Sequence, residues 1–577
     1  MATNSARDGV SISQIVASIL DSYSQMDIPL TWYVFGALVP SFVLFLGSIG
    51  GAMYLPYPLG VRLLLPVFGL LAVTSAVIYP RIAIDRLRIE MENKFHLLVT
   101  HMTVLSTTNI DRVEVFRRLA TQQEEYGELA VEMNRIVQLV DTWNLSLDDA
   151  CQRRANQVPS DTVSDFLDRL AYTISAGQSL DDFLLNEQNI IINNYKTIYQ
   201  GSLDNLEVLK DLYLSLVISM SFGLVFAIVL PILTGTDPTL TVAAVLVLFA
   251  FVQLGFLVVI RSMVPYDPLW FTTSEMWTKS RVQLVISTVI GSILSILLVI
   301  IMLGSFVGNP MFASVFPADI IPRQLYVAIP ITPLLIPGIT FLQVEKQIKE
   351  RDDSFPSFIR ALGASESAKQ STTSTVLRTL RNKDFGHLTE NIDDLYRRLN
   401  MRIDDVLAWK YFATESNSYL IQKFSDMYLV GRELGGQPKV LGELISENMN
   451  AINQLRERRS QEAVTLIGVL YGISAASAFA FFIGLQVVVI ISGMDFDLTN
   501  QGMGIGQLLH PGVYNIDVIE YLLLLLILFN ALLASILIRT TDGGHKGNGL
   551  IHFVLLTWVG CLTGYATVVL VEMFMSI

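Results

Sequence analysis

Apolar residues along this chain gather into runs of roughly 20, long enough for a helix rising about 1.5 Å per residue to cross about 30 Å of hydrocarbon. The runs fall at about 32–53, 61–79, 212–233, 240–260, 282–307, 325–342, 464–492, 519–538 and 550–572, which predicts about nine spanning helices. Between the second and third runs, and again between the sixth and seventh, the pattern changes to an amphipathic one over more than 100 residues. Leu388, Ile392, Leu395 and Leu399 recur at intervals of four, three and four, so they share one helical stripe while Glu390, Asp394, Arg397 and Arg398 face away. A helix of that kind needs a partner, and both intervening segments read as small helical bundles. SLDD at Ser146 and at Ser179 supplies helix starts, and Gly177 and the Gly435–Gly436 pair supply helix stops.

The expected fold is therefore all-α: a polytopic membrane protein with about nine transmembrane helices and two cytoplasmic helical-bundle domains related by internal duplication. Its expected segments are 1–31 (N-terminal, cytoplasmic), 32–79 (spans 1–2), 80–211 (first bundle), 212–342 (spans 3–6), 343–463 (second bundle) and 464–577 (spans 7–9). The repeat rests on side-chain positions. Phe166 precedes Gly177 at the same distance as Phe424 precedes Gly435, YGEL at 126–129 resembles FGHL at 385–388, and each leads through an amphipathic helix to a pair of aspartates, Asp148–Asp149 or Asp404–Asp405. Each half contains an even number of spans before the next begins, so both bundles are expected on one face as parallel repeats.

Composition agrees with membrane insertion: of 577 residues 52% are hydrophobic, and the mean hydropathy is +0.50. Basic residues orient the chain, because they are retained on the cytoplasmic side. Arg81, Arg86, Arg88 and Lys94 follow the second run, Arg261, Lys279 and Arg281 lie between the fourth and fifth, and Lys346, Lys349 and Arg351 follow the sixth. Loops 234–239 and 493–517 carry no Arg or Lys, while Arg539 and Lys546 flank the loop before the last run. The N-terminus is expected inside the cell membrane and the C-terminus outside. The first thirty residues lack the basic start and small-residue cleavage pattern of a secretory signal and are expected to be retained. The net charge of −13 draws on a visibly acidic first bundle, including Glu124, Glu125, Glu128, Asp181 and Asp182, which reads as a solvated, mutually repelling face.

Catalytic chemistry is missing from the local patterns. No phosphate-cradling glycine loop ends in Lys followed by Ser or Thr, and GGHKGNG at 543–549 reads as a polar turn between spans. His96 and His101 are five apart, which misses the pairing of a zinc-binding helix, and Cys151 and Cys561 are too few for a disulfide framework. No enzyme activity, metal, cofactor or nucleic-acid partner is expected. Intramembrane charge, which a transporter needs, is nearly absent; Gln253 and Asn530 read as hydrogen bonds between helices, and Pro231, Pro330, Pro333 and Pro337 as kinks rather than broken helices around a substrate. Gly472, Ala476, Ala480 and Gly484 repeat every four residues, and Gly47 with Gly51 and Gly560 with Gly564 share that spacing. Such faces permit close helix approach within one subunit or across a homodimer.

The second bundle resembles the membrane platform proteins of type IV pilus and type II secretion machines, in the two-domain branch found in archaea. The residues that carry the resemblance are FPSFIRALG at 355–363, FGHL at 385–388 (with Phe385 and Gly386), LAWKYFATE at 407–415 (with Trp409), and GRELGG at 431–436 (with Gly435 and Gly436). LYGISAASAFAFF at 470–482 is similar to the archaellum members of that branch, and the first bundle matches the family pattern less closely. The resemblance implies a passive platform that couples a cytoplasmic hexameric secretion-type ATPase, with its associated motor proteins, to the insertion of pilin-like filament subunits. In an archaellum the same coupling also turns the filament. The alternatives are an adhesive-pilus platform within the family and a secondary transporter outside it. The ATPase contact is expected on the basic cluster Arg378, Arg381, Lys383, Arg397, Arg398 and Arg402, whose other reading is an ordinary solvated face.

Overall fold

The structure, a computed structural model, describes residues 33–54, 59–235, 237–265, 267–273, 276–306, 321–370, 372–493 and 515–575. The N-terminal segment expected to be retained lies outside the described residues. Every named element is helical, and an antiparallel bridge between Trp270 and Ser418 is the extended pairing among the described residues. The chain divides into two compact units, Met1–Ile191 and Ile192–Ile577.

In the first unit a short π-helical turn leads into α1 (Val39–Tyr54), followed by α2 (Leu59–Ser106), α3 (Arg112–Ala120), α4 (Gln123–Tyr126), α5 (Glu128–Trp143), α6 (Leu147–Ala155), α7 (Asp161–Ser175) and the first turns of α8 (Leu180–Val229). Phe166 of α7 fills the bundle core between Phe95 of α2 at 5.2 Å and Phe183 of α8 at 5.8 Å. Several polar groups inside are paired with one another, as burial favours. Thr103 Oγ1 donates to Gln188 Oε1, Gln188 Nε2 donates to Thr100, and His101 Nδ1 meets the Tyr126 hydroxyl at 3.0 Å. His96 and His101 are thus buried core residues of α2.

The second unit continues α8 and adds α9 (Pro231–Thr234), α10 (Pro238–Met263), α11 (Lys279–Phe306), α12 (Arg323–Ile331), α13 (Leu335–Lys369), α14 (Thr373–Leu380), α15 (Thr389–Asn400), α16 (Asp405–Ser416), α17 (Tyr419–Glu433), α18 (Pro438–Gly493), α19 (Ile516–Asp542) and α20 (Gly549–Met575). The predicted stripe on α15 points into the bundle: Leu388, Ile392, Leu395 and Leu399 are all buried.

Element order is the same in the two bundles. Each runs long helix, short helix, single turn, three helices, long helix: α2 to α8 in one, and α13, α14, a 3-10 turn at Gly386–Leu388, α15, α16, α17 and α18 in the other. Left-handed positions recur in step, at Gly127 and Gly386 (φ 57° in both), Asn144 and Arg402, and Gly177 and Gly435. Ser160 caps α7 as Ser418 caps α17, and one interval separates Asn144 from Arg402, Ser160 from Ser418 and Gly177 from Gly435. The aspartate pairs do not correspond in that register. Asp404 is itself the cap of α16, whereas Ser146 caps α6 and Asp148–Asp149 follow inside its first turn.

Among the described residues eight helices are long and apolar enough to cross a membrane, and they coincide with eight of the nine predicted runs. The other run, 61–79, falls on α2, where most side chains lie outside the described residues. Three of the eight exceed any bilayer: α8 has 50 residues, the α12–α13 segment 47 and α18 more than 50, so each extends tens of ångströms past a crossing that needs about 20 residues. The α12–α13 crossing contains a 3-10 turn at Thr332–Leu334, where Pro330, Pro333 and Pro337 interrupt the backbone ladder. Side chains bond backbone carbonyls here: Ser295 donates to that of Pro330 at 2.7 Å and Thr332 Oγ1 to that of Ala328 at 3.0 Å, while Trp558 Nε1 donates to Thr332 Oγ1 at 3.0 Å.

Some of the small residues and amides lie between spans, whereas a β-carbon at Gly47 would meet nothing within 4 Å. Gln253 donates to Asn530 at 3.0 Å. A β-carbon at Gly560 would lie 2.6 Å from Ile527, and one at Gly564 2.5 Å from Phe482, so α20 packs tightly on α19 and α18. The stripe on α18 behaves less uniformly. Gly484 lies against Val225 of α8, whereas Gly472, Ala476 and Ala480 line an open apolar cavity of about 440 Å³ rather than a tight helix contact.

Candidate functional site

At the base of the second bundle, where α13 and α18 approach the spans, the fold buries a set of charges that no local pattern announces. Arg456 and Arg459 lie one turn apart on α18 and share a face. Arg456 grips Asp267 with a fork, Nε at 2.8 Å and Nη2 at 2.6 Å, and donates through Nη1 to Asp352 of α13 at 2.8 Å. The other Asp352 oxygen accepts from Ser418, whose hydroxyl also caps α17 by accepting from the Ile421 amide at 3.1 Å. Arg459 spends its donors on backbone oxygens: Thr541 at 2.6 Å, Thr540 at 3.0 Å and Pro265 at 3.3 Å. It thereby caps the last turn of α19, where exposed carbonyls and the negative dipole end favour a cation.

A third carboxylate closes the arrangement. Glu345 of α13 accepts from the His545 amide at 2.9 Å, from Asn548 Nδ2 at 2.6 Å and from Trp270 Nε1 at 3.4 Å, and pairs with Lys349 at 3.3 Å. The loop 543–548 was expected to be a plain turn between spans, but here it is a packed element. A β-carbon at Gly544 would lie 2.3 Å from the Glu345 carboxylate, so only glycine admits that approach. The junction thus ties α13, α17, α18, the end of α19, the loop before Trp270 and the loop after Asp542 into one body.

Two acids share one guanidinium here, and burial sets the balance between them. Burial alone would lower Arg456, but the Asp267 fork and Asp352 hold it well above the ordinary guanidinium range. Asp352 is pushed up to about 7, first by burial and then by Asp267 and Asp353, against the pull of Arg456 and Ser418. Tyr199 of α8 lies nearby, its phenol pushed up to about 12 by burial and then by Asp267. A carboxyl whose folded pKa exceeds its unfolded value of about 4 binds a proton preferentially in the folded state, so its contribution is full below about pH 4 and is lost as pH rises to about 7. The expected result is a melting temperature that falls between pH 5 and pH 7.5 and a flatter profile in Asp352→Asn; equal profiles in melting curves of the detergent-purified proteins would contradict it.

The family-motif residues turn out to build the bundle. Phe385 packs edge-on against Phe358 at 5.6 Å, and Trp409 lies between Phe412 at 5.4 Å and Tyr428 at 6.1 Å. Gly386 and Gly435 hold left-handed turns, and the Gly436 amide donates to the Gly431 carbonyl at 2.8 Å. The basic cluster is on the outside but is not uniform. Arg378, Lys383 and Arg402 are exposed. Arg381 and Arg397 are shared with Asp393, and Arg398 is tied by a two-toothed bond to Glu415 with its guanidinium 5.0 Å above Tyr411.

A chain whose described residues form helices, eight of them of membrane length and three of those prolonged into helical bundles, is a polytopic membrane protein whose bundles share the spans' own helices. A family profile described as type II secretion system protein F matches residues 98–231, which is the first bundle with the beginning of the spans after it. The resemblance noted in the second bundle is therefore matched by the first, where the quoted motifs had been weaker. The chain is 36% identical over 549 residues to "Flagella accessory protein J" of Methanocaldococcus jannaschii, covering 94% of this chain and 95% of that one. It is 33% identical over 512 residues to the protein of the same name from Methanococcus voltae, covering 88% and 90%. The chain belongs to the archaeal flagella accessory protein J (FlaJ) family. No solved structure matches it.

Proposed function

We propose that this protein is the membrane platform of an archaellum assembly and rotation machine, coupling a cytoplasmic secretion-type ATPase to the insertion of pilin-like filament subunits. The observation that carries this reading is the continuity of α8, α13 and α18 from bundle to span, locked for the second bundle by the buried junction at Arg456. A lever needs that combination: a push on the bundle is passed to the spans through helices that continue from one into the other. Chain length shared with proteins named for flagella favours the archaellum over an adhesive pilus.

The matching element order supports an internal duplication, and the basic residues beside the spans support bundles that both face the cytoplasm, with the N-terminus inside and the C-terminus outside. Docking of the ATPase is assigned to the exposed part of the basic cluster, Arg378, Lys383 and Arg402. Arg398, held by Glu415, belongs to the bundle's own structure, so reversing it would test folding instead of docking.

The test is a strain in which the chromosomal copy is replaced by Arg378→Glu, Lys383→Glu, Arg402→Glu. Membrane insertion is expected to be normal, co-purification of the ATPase to fall by about tenfold or more as three attractive contacts become repulsive, and swimming to be lost while surface attachment persists. Normal swimming with full co-purification would remove the docking assignment, and loss of attachment with intact swimming would transfer the protein to an adhesive pilus.

A further inference from the structure

We infer that the protein binds an anionic phospholipid, headgroup inward, in a cavity of about 320 Å³ framed by the start of α11, the Phe341 turn of α13 and the loop before α11. The inference is independent of any ATPase contact and needs only that the chain spans a membrane. The cavity has two unlike walls. One is Leu284, Val285 and Val289 of α11, with Val285 and Val289 44% and 50% exposed on a face that continues outward through Ile286 and Ile293. The other is polar: Arg281, Thr272, Asn417 and His545.

Its position is that of a headgroup. The apolar run of α11 begins at about residue 282 and that of the α12–α13 segment ends at about 342, so both helices leave the hydrocarbon at this cavity. Trp270 lines it, and Trp277 is 65% exposed beside it, as amphipathic rings are at a membrane boundary. Arg281 is held in place by neutral groups. Its Nη1 donates to the Thr273 carbonyl at 2.6 Å and its guanidinium lies 4.9 Å over the Trp277 ring, and among the described residues no carboxylate pairs with it. Guanidinium edges of this kind match phosphate oxygens.

His545 supplies a donor without adding charge. Burial lowers its pKa, as do Arg539 and Lys546, and its Nδ1 accepts from the Gly547 amide at 3.0 Å, which leaves the ring proton on Nε2. The ring is fixed by stacking on Phe341 at 4.5 Å. A free phosphate would satisfy Arg281 and leave the valine wall bare. A phospholipid satisfies both walls, with its phosphate at Arg281 and an acyl chain along Val285 and Val289, so the lipid is the occupant assigned.

The test uses the full-length protein in detergent and in nanodiscs, with phosphatidylglycerol, phosphatidylcholine and inorganic phosphate as probes, read by native mass spectrometry and melting temperature. Phosphatidylglycerol is expected to remain bound and to raise the melting temperature more than phosphatidylcholine does, and Arg281→Gln to retain it about tenfold less. Thr288→Trp, which fills the cavity from α11, is expected to expel the lipid while the guanidinium stays; Lys279→Gln, whose side chain is 94% exposed, is expected to retain it. Equal retention by wild type and both cavity variants, no preference for the anionic lipid, or full stabilisation and displacement by inorganic phosphate at millimolar concentration would each overturn the proposal.

Discussion

Replacing Arg456 with methionine is expected to remove most of the folded protein from the membrane fraction. The side chain is buried, and its loss leaves Asp267 and Asp352 facing each other in a poorly solvated site without their shared cation. Breaking a buried ion pair from one side costs about 3–5 kcal/mol, a large share of the stability of an ordinary domain. Arg456→Lys keeps the charge but not the fork that reaches Asp267 and Asp352 together, so it is expected to fall between the two. Adding Asp267→Asn and Asp352→Asn to Arg456→Met removes the stranded charges and is expected to restore part of the loss. Melting temperature and protease resistance of the second bundle in detergent measure all three; an Arg456→Met protein that melts like wild type would mean the junction contributes nothing to stability.

Gly363→Val is expected to separate the second bundle's two long helices. A β-carbon there would lie 2.2 Å from the Pro438 carbonyl oxygen, and one at the facing Gly442 would lie 2.7 Å from the Ile359 carbonyl. The obstruction is backbone on both sides, so no rotamer change relieves it, and the cost is at least the 1–3 kcal/mol typical of overpacking. Pro438 begins α18, so the displacement is applied to the helix that carries Arg456 toward the spans. Gly363→Val is expected to expose the bundle to limited proteolysis, while the exposed neighbour change Arg360→Gln leaves it resistant. Equal resistance in the two proteins would show that α13 and α18 tolerate a wider spacing.

Arg456 sits where the second bundle joins its spans, and Gly363 lies on the same pair of helices, about three turns along α13 from Asp352. α13 and α18 run on from the second bundle into spans, and the junction ties that pair to the end of α19 and to the loop before Trp270. The lipid cavity lies on the same boundary and shares Trp270, His545 and Asn417 with the surroundings of the junction.

Much of this architecture is legible along the chain because the bilayer selects for one property, length of apolar run, and each run carries that information locally. The stripe Leu388, Ile392, Leu395 and Leu399, the caps at Ser146 and Ser179, and the Gln253–Asn530 pair are equally local or equally constrained by the absence of water. The basic cluster was legible as charge but not as availability. Arg398 and Lys383 look alike in sequence, and only the fold places Glu415 against the first and leaves the second in solvent.

By itself the sequence determined an all-helical membrane protein with two bundles of like design, since periodicity, apolar length and capping residues act over a few turns at most. Tertiary structure alone decided the rest. Asp267, Asp352, Ser418, Arg456 and the Thr540–Thr541 carbonyls come from five separate stretches, and each reads singly as an ordinary polar residue near a span. They meet because α13 packs against α18, the same packing that brings Gly363 and Gly442 together, which is a property of two helices and of neither one alone.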